Sequence, residues 1–194
     1  MKVRALAMPL AIATAVAGTG AMLSGCVPIM AAAAIRGGAL VVADRRSAGA
    51  QLDDEAIELK IANAVRANYA NTHVNVTSFN GTVLLTGEVP DATARDGIGN
   101  LARNTDRVRS VQNELVVAPP SSLGNRSSDT LITSKVKARF VEANEFHANN
   151  VKVVTERGVV YLMGIVSRQE AEAAARLAAR TSGVVRVVRV FEYT

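Results

Sequence analysis

The sequence is poor in the residues that usually carry catalysis or crosslink a fold. Its 194 residues include one cysteine, Cys26, two histidines and no tryptophan. A single cysteine excludes an internal disulfide. No G-x-S-x-G nucleophile motif and no phosphate-binding loop is present, and neither histidine has a ligand residue at metal-binding spacing along the chain. We therefore expect no catalytic residue, no metal and no cofactor, and interpret His73 and His147 as surface residues.

The first 25 residues are typical of a bacterial secretion signal, with two cations ahead of an apolar stretch. The signal ends in Leu-Ser-Gly-Cys at residues 23–26, which resembles the lipobox of bacterial lipoproteins. The sequence therefore predicts a signal peptide at 1–25 and lipid attachment at Cys26. Because residue 27 is valine rather than aspartate, we expect sorting to the outer membrane, facing the periplasm of a Gram-negative bacterium.

Residues 26–52 form the predicted lipidated tether. Within it, residues 27–43 are rich in alanine and glycine and carry one charge, Arg36. This stretch is at the short limit for crossing a bilayer, and it follows a covalent anchor. We interpret it as a tether or a membrane-lying segment rather than a transmembrane helix; plain disorder is an equally good interpretation.

Aromatic residues are also scarce, at 4% of the chain. The formal net charge of +5 would permit binding to nucleic acid, but few side chains are available for base stacking. A secreted lipoprotein also does not meet DNA. We therefore expect no nucleic-acid partner.

The chain is organised around a nine-residue pattern that occurs twice. Residues 81–89 and 158–166 share the sequence G-x-V-x-L-x-G-x-V. Asn80-Gly81 predicts a two-residue hairpin turn, which requires positive φ at both residues. Alternation after the first glycine predicts a strand, and a glycine inside a strand indicates a bulge or a close approach of another backbone. Four glycines are thus structural candidates: Gly81, Gly87, Gly158 and Gly164.

The pattern belongs to a tandem duplication, with most equivalent residues 77 positions apart and those of the first helices 75 apart. In each copy the order of elements is predicted to be αββαβ. We place the domains at 53–118 and 129–194, joined by a Pro- and Ser-rich linker at 119–128. The predicted fold class is α+β, with each three-stranded mixed sheet packed against two helices.

The predicted first helices begin at Asp53 and near Asp129, where acidic side chains suit the positive end of the helix dipole. The predicted last strands span 108–117 and 184–193. In the second domain, one face of the central strand is apolar where the equivalent face in the first domain is more polar. Because a strand apolar on both faces is normally covered on both, we expect the first domain to cover this face: Val159, Tyr161, Met163 and Ile165.

The first helix of the second domain has a distinctive outward face. With Ile132, Val136 and Phe140 on the buried stripe, helical periodicity places a second set of residues outward or at the edge. An exposed apolar group beside cations suits an anionic membrane surface; a single exposed leucine needs no such explanation. The candidate lipid-binding residues are Leu131, Lys135, Ala138, Arg139 and Val141.

Charge is distributed unevenly between the domains. The first carries nine acidic and six basic residues and the second seven acidic and ten basic, giving −3 and +3. A basic domain on a membrane-tethered chain favours anionic lipid as its ligand. Ordinary solvated surface charge is the alternative interpretation.

The lipobox, the segment 44–54 and the two in-register copies together resemble the dual-BON outer-membrane lipoproteins. The resemblance implies two BON domains, no enzymatic activity and phospholipid binding centred on the first helix of the second domain. Relatives in this family carry a large aromatic residue where this chain has Leu131. The favoured hypothesis is a lipoprotein that binds anionic phospholipid membranes and supports envelope integrity. The alternative is an adaptor that docks outer-membrane assembly or division proteins.

Overall fold

The computed structural model describes residues 44–194, which lie in one compact unit. The first domain contains α1 (Ala48–Asn68), β1 (His73–Phe79), β2 (Thr82–Val89), α2 (Ala92–Arg103), β3 (Ser110–Asn113) and β4 (Val116–Val117). The second contains α3 (Leu123–Ala143), a 3-10 turn (Ala148–Asn150), β5 (Val151–Glu156), β6 (Val159–Val166), α4 (Arg168–Ala179) and β7 (Arg186–Tyr193). The α+β class and the duplicated αββαβ plan are confirmed.

Each sheet is mixed, with the patterned strand at its centre. β1 and β2 form an antiparallel hairpin, and β3 and β4 both pair with β2 in parallel. In the second domain β5 pairs antiparallel and β7 parallel with β6. The hairpin turns have positive φ at both central residues, Asn80-Gly81 and Arg157-Gly158, as the Asn-Gly pair predicts.

Each domain has its own core between one face of its sheet and its helices. In the first, Ile57 and Ile61 of α1 pack with Val83 and Leu85 of β2 and with Ile98 of α2. In the second, the predicted stripe of α3 is buried against β6 and against the alanine-rich face of α4: Ile132, Val136 and Phe140. The helical periodicity therefore identified both core faces.

A third apolar cluster lies between the two sheets. Phe79 and Leu84 of the first domain pack against Tyr161 and Met163 of the second, and all four are at most 5% exposed. The sheets thus contact each other through the faces that their helices leave open. The prediction that the first domain covers the apolar face of β6 is confirmed.

Both first helices begin earlier than predicted, because serines rather than aspartates cap them. Ser47 and Ser122 each accept a hydrogen bond from a backbone N–H of the first helical turn. Asp53 therefore lies within α1 and does not interact with the helix N-terminus. Six residues of the predicted linker, 123–128, are helical.

The last strand of the first domain is interrupted, so the prediction of one continuous strand over residues 108–117 was wrong. β3 ends at Asn113, whose side-chain Oδ1 accepts a hydrogen bond from the backbone N–H of Leu115. Leu115 is buried in the core. The chain then rejoins β2 as β4, so the first sheet has four strands where the second has three.

The segment before α1 is held against both domains. Arg45 donates two hydrogen bonds to the Glu170 carboxylate, at 2.7 and 2.9 Å, and one to the Ile165 carbonyl. Arg46 pairs with Asp54 at 2.8 Å, and its guanidinium lies 4.1 Å from the centre of the Phe79 ring. Although it leads directly into the first domain, this segment therefore contacts the second one as well.

Candidate functional site

The predicted lipid-binding residues all lie on the solvent-exposed side of α3. Leu131 is 61% exposed and Val141 is 68% exposed. Lys135, Ala138 and Arg139 are exposed between them. The buried residues of α3 lie on the opposite side, so the two apolar groups face solvent rather than the core.

The cations of α3 are not neutralised by neighbouring carboxylates. Among residues 44–194, no ion pair involves Lys135, Lys137 or Arg139. On α1, by contrast, Lys60 lies 3.9 Å from Asp106. The outer face of α3 therefore combines uncompensated positive charge with exposed apolar side chains.

Some of the charged residues behind the difference in net charge form ion pairs between the two domains. Three ion pairs join an acid of the first domain to a base of the second: Glu58–Lys152 at 2.9 Å, Glu88–Arg157 at 3.6 Å and Glu114–Arg186 at 3.8 Å. One pair has the opposite sense, Arg109–Glu192 at 3.3 Å. The net charge of +3 thus overstates what the second domain offers a ligand, and the free cations of α3 are the more specific signal.

An aspartate at or next to each predicted helix start, Asp54 and Asp129, binds the hairpin turn of its domain. Asp54 accepts hydrogen bonds from the backbone N–H groups of Asn80 and Gly81, at 2.7 and 2.8 Å, and from the Ser78 hydroxyl at 2.6 Å. Burial tends to raise the pKa of Asp54, but these bonds and Arg46 outweigh it and hold the pKa below its usual value. Asp129 accepts equivalent bonds from the second hairpin turn. Their role is structural.

The second glycine of each pattern lies where another backbone passes. A Cβ on Gly87 would lie 2.0 Å from the His73 carbonyl oxygen, and one on Gly164 would lie 2.3 Å from that of Asn150. Gly87 also has a φ of +115°. The pairing with the preceding strand is unbroken through Gly87 and as far as Gly164, which forms its last pair, and it has no bulge, so close approach is what requires glycine.

The structure contains a buried polar cluster at the domain interface that the sequence analysis did not identify. His73, interpreted from the sequence as a surface residue without a ligand partner, is instead partly buried, with Nδ1 3.0 Å from Glu88 Oε2. Glu156 completes the cluster from the second domain. The two-residue turn fixes a register that pairs His73 with Glu88, so the sequence contained a signal for this contact. His147 is exposed.

Some sequence interpretations fall outside the described residues. Cys26 and the stretch 27–43 precede Asp44, where the description begins. Over residues 44–194, no helix has the length and hydropathy that crossing a bilayer requires.

Known proteins identify the repeated domain. The BON domain family model matches residues 53–119 and again 128–194. The chain is 41% identical over 182 residues to the outer membrane lipoprotein DolP of Haemophilus influenzae, covering 91% of this chain and 92% of that protein. It is also 36% identical to a 21 kDa hemolysin of Actinobacillus pleuropneumoniae, over 77% of this chain and 79% of that protein.

A more distant relative is the osmotically-inducible protein Y of Escherichia coli, 30% identical over 69% of each chain. The likeness to DolP over nearly the whole length makes this chain a lipid-anchored lipoprotein of the outer membrane with a role in the envelope. The chain belongs to the BON domain family, with two tandem copies of the domain.

Proposed function

We propose that the chain is a non-enzymatic lipoprotein, acylated at Cys26, that binds anionic phospholipid membranes through the outer face of α3. The observation that carries this proposal is the uncompensated positive charge on α3 beside two exposed apolar side chains. A membrane surface offers what this face lacks, namely anionic phosphates for the cations and an apolar boundary for Leu131 and Val141.

The expected contributions are of similar size. Full burial of a leucine side chain stabilises by about 1.5–3 kcal/mol. Each cation near an anionic leaflet adds about 1 kcal/mol. A lipidated N-terminus holds the chain at the membrane without orienting the domains, so a second, protein-based membrane contact would fix their orientation at the surface.

The binding test is co-sedimentation of the purified soluble fragment 44–194, which lacks the acyl anchor, with vesicles of phosphatidylcholine, with and without phosphatidylglycerol. Leu131→Glu removes the apolar group and adds a repelled charge, so we expect it to weaken binding to the anionic vesicles more than Lys135→Ala does. The effect of the lysine should shrink at high salt, because counterions screen exposed charges. The lost apolar contact of Leu131 should persist.

Helix α1 supplies a matched control. Leu59 is 64% exposed, and Leu59→Glu makes the same chemical change on the acidic domain. It should leave vesicle binding unchanged, whereas Val136→Glu, in the core, should unfold the second domain. If folded Leu131→Glu protein binds as the wild type does, the membrane site is not on α3.

The second candidate function is an adaptor for an envelope assembly or division complex. Helix α1 favours it, because Leu52 and Leu59 are exposed there among acidic side chains that an anionic membrane would repel. A surface with apolar and acidic groups suits a basic protein partner better than a lipid. If Leu59→Glu impairs envelope integrity in cells while Leu131→Glu does not, the adaptor function is the better assignment.

A further inference from the structure

The His73–Glu88–Glu156 cluster joins the two domains at a buried position. His73 and Glu88 are directly opposite each other on β1 and β2, so their side chains project from the same face of the sheet. Glu156 reaches the same place from the end of β5. The three side chains offer ligand atoms that all lie within 4.8 Å of one another.

The carboxylate of Glu88 is incompletely satisfied. Its side chain is fully buried, and Oε2 is 3.0 Å from His73 Nδ1 and 3.1 Å from the donating backbone N–H of Ser121. Within the part of the chain that the structure describes, Oε1 has no hydrogen-bond partner, and the Arg157 guanidinium is 3.6 Å away. A buried charge is costly unless it is paired or coordinates a metal.

A second carboxylate is buried beside it. Glu156 is 6% exposed, and one of its oxygens accepts a hydrogen bond from the Asn75 side-chain amide at 2.8 Å. The cluster therefore has an excess of negative charge that a bound cation would relieve.

The duplication shows that the BON fold does not require these residues. The positions equivalent to His73 and Glu88 are Asn150 and Ile165, and Glu156 is equivalent to Phe79. Each domain thus builds the same hairpin without a second copy of the cluster. The three residues come together only because the two domains pack against each other.

We propose that His73, Glu88 and Glu156 bind one divalent cation, best matched by Zn²⁺, as a ligand set shared between the domains. Imidazole nitrogen and carboxylate oxygen are both ligands that Zn²⁺ accepts, and three protein ligands leave a fourth position open. Two ligands of a tetrahedral zinc lie about 3.3 Å apart, close to the 3.0 Å between His73 Nδ1 and Glu88 Oε2. The two carboxylates balance the charge of the ion.

The surroundings of the cluster provide a route by which an ion could enter and a cation, Arg157, that competes with the ion for Glu88. A cavity of about 220 Å³ opens beside the cluster and is lined by His73, Asn75 and Glu156 among others, which gives space for a metal-bound water. Arg157 competes with the ion for Glu88, but its side chain is 48% exposed and is free to turn into solvent.

Zinc binding is measured on the full-length protein in detergent, stripped of metal, by competition with a chromophoric chelator. We expect one Zn²⁺ per chain and an increase in melting temperature with zinc. His73→Ala and Glu88→Gln should weaken the affinity by at least about tenfold, while His147→Ala, the matched control at the other histidine, should not. Arg157→Asn, which suits the positive φ of that residue, should strengthen it.

X-ray absorption at the zinc edge of the wild type needs no variant to fold. It should show one imidazole and carboxylate oxygens at about 2.0–2.2 Å. The proposal is overturned if the wild type binds no stoichiometric zinc, if the spectrum lacks an imidazole ligand, or if folded His73→Ala protein binds as tightly as His147→Ala.

Discussion

The two BON domains have equivalent cores, but their surfaces differ in the charged groups that they expose or pair. Both begin with a 21-residue helix, and both fix their hairpin turn with a buried aspartate of that helix, Asp54 or Asp129. The first domain directs three carboxylates to its neighbour. The second leaves the cations of α3 unpaired within residues 44–194. Duplication thus preserved the residues that specify the fold, while the outward faces diverged in charge.

The largest effect should come from replacing Gly87 and Gly164 by alanine, because these glycines occupy equivalent positions where another backbone passes close by. Gly87→Ala should cost at least about 2 kcal/mol in the free energy of unfolding, because the new Cβ overlaps a carbonyl oxygen at a positive φ. Gly164→Ala meets a similar oxygen without the positive φ and should cost less. Urea unfolding of the full chain measures both.

Gly49→Ala is the control for that pair. Its Cβ would meet no atom closer than 3.8 Å, within a helix, so alanine should stabilise by up to about 1 kcal/mol. Equal stability of the Gly87→Ala protein and the wild type would show that the strand pair can separate there at no cost.

Removing the aspartate that binds the hairpin turn should destabilise the first domain more than the second. Asp54→Ala should cost about 3 kcal/mol and Asp129→Ala about 2 kcal/mol, because Asp54 also accepts from Ser78 and pairs with Arg46. Since the folded state lowers the pKa of Asp54, its contribution is present above the unfolded-state pKa of 3.8 and is lost as the pH falls through the folded pKa.

Unfolding free energies from pH 7 down to pH 2 check this. The deficit of the Asp54→Ala protein should shrink on acidification, and Asp54→Asn should separate the lost charge from the lost shape. A deficit that stays constant across the range would mean that the carboxylate is not ionised in the folded protein.

The smallest expected effect concerns the interface between the domains. Burial, followed by the nearby charge of Glu114, raises the pKa of Tyr161 to about 12. The folded state therefore disfavours the phenolate, and stability should fall as the pH rises above the unfolded-state pKa of 10.0. Tyr161→Phe should remove this component, seen as the difference between the two melting curves from pH 9 to pH 11. Parallel curves would place the hydroxyl in water.

The sequence revealed the parts of this protein that depend on local periodicity. The stripe of α3 and the alternation in β6 were readable because burial repeats with the period of the element. The starts of α1 and α3 were not, since no residue of the first turns after Ser47 and Ser122 is buried, and the burial pattern begins only at Asp54 and Asp129. Contacts between Glu156 and the first domain depend on how two finished sheets dock, which no local pattern contains.

Arg45 and Arg46 have a mechanical consequence for an anchored protein. The chain enters the described structure at Asp44 and is immediately tied to Glu170 of the second domain and to Asp54 of the first. A pull transmitted along the chain from the anchor is therefore divided between the two domains before it reaches the first turn of α1. The two arginine ion pairs therefore oppose unfolding of the first domain from its N-terminus when force acts on the anchor.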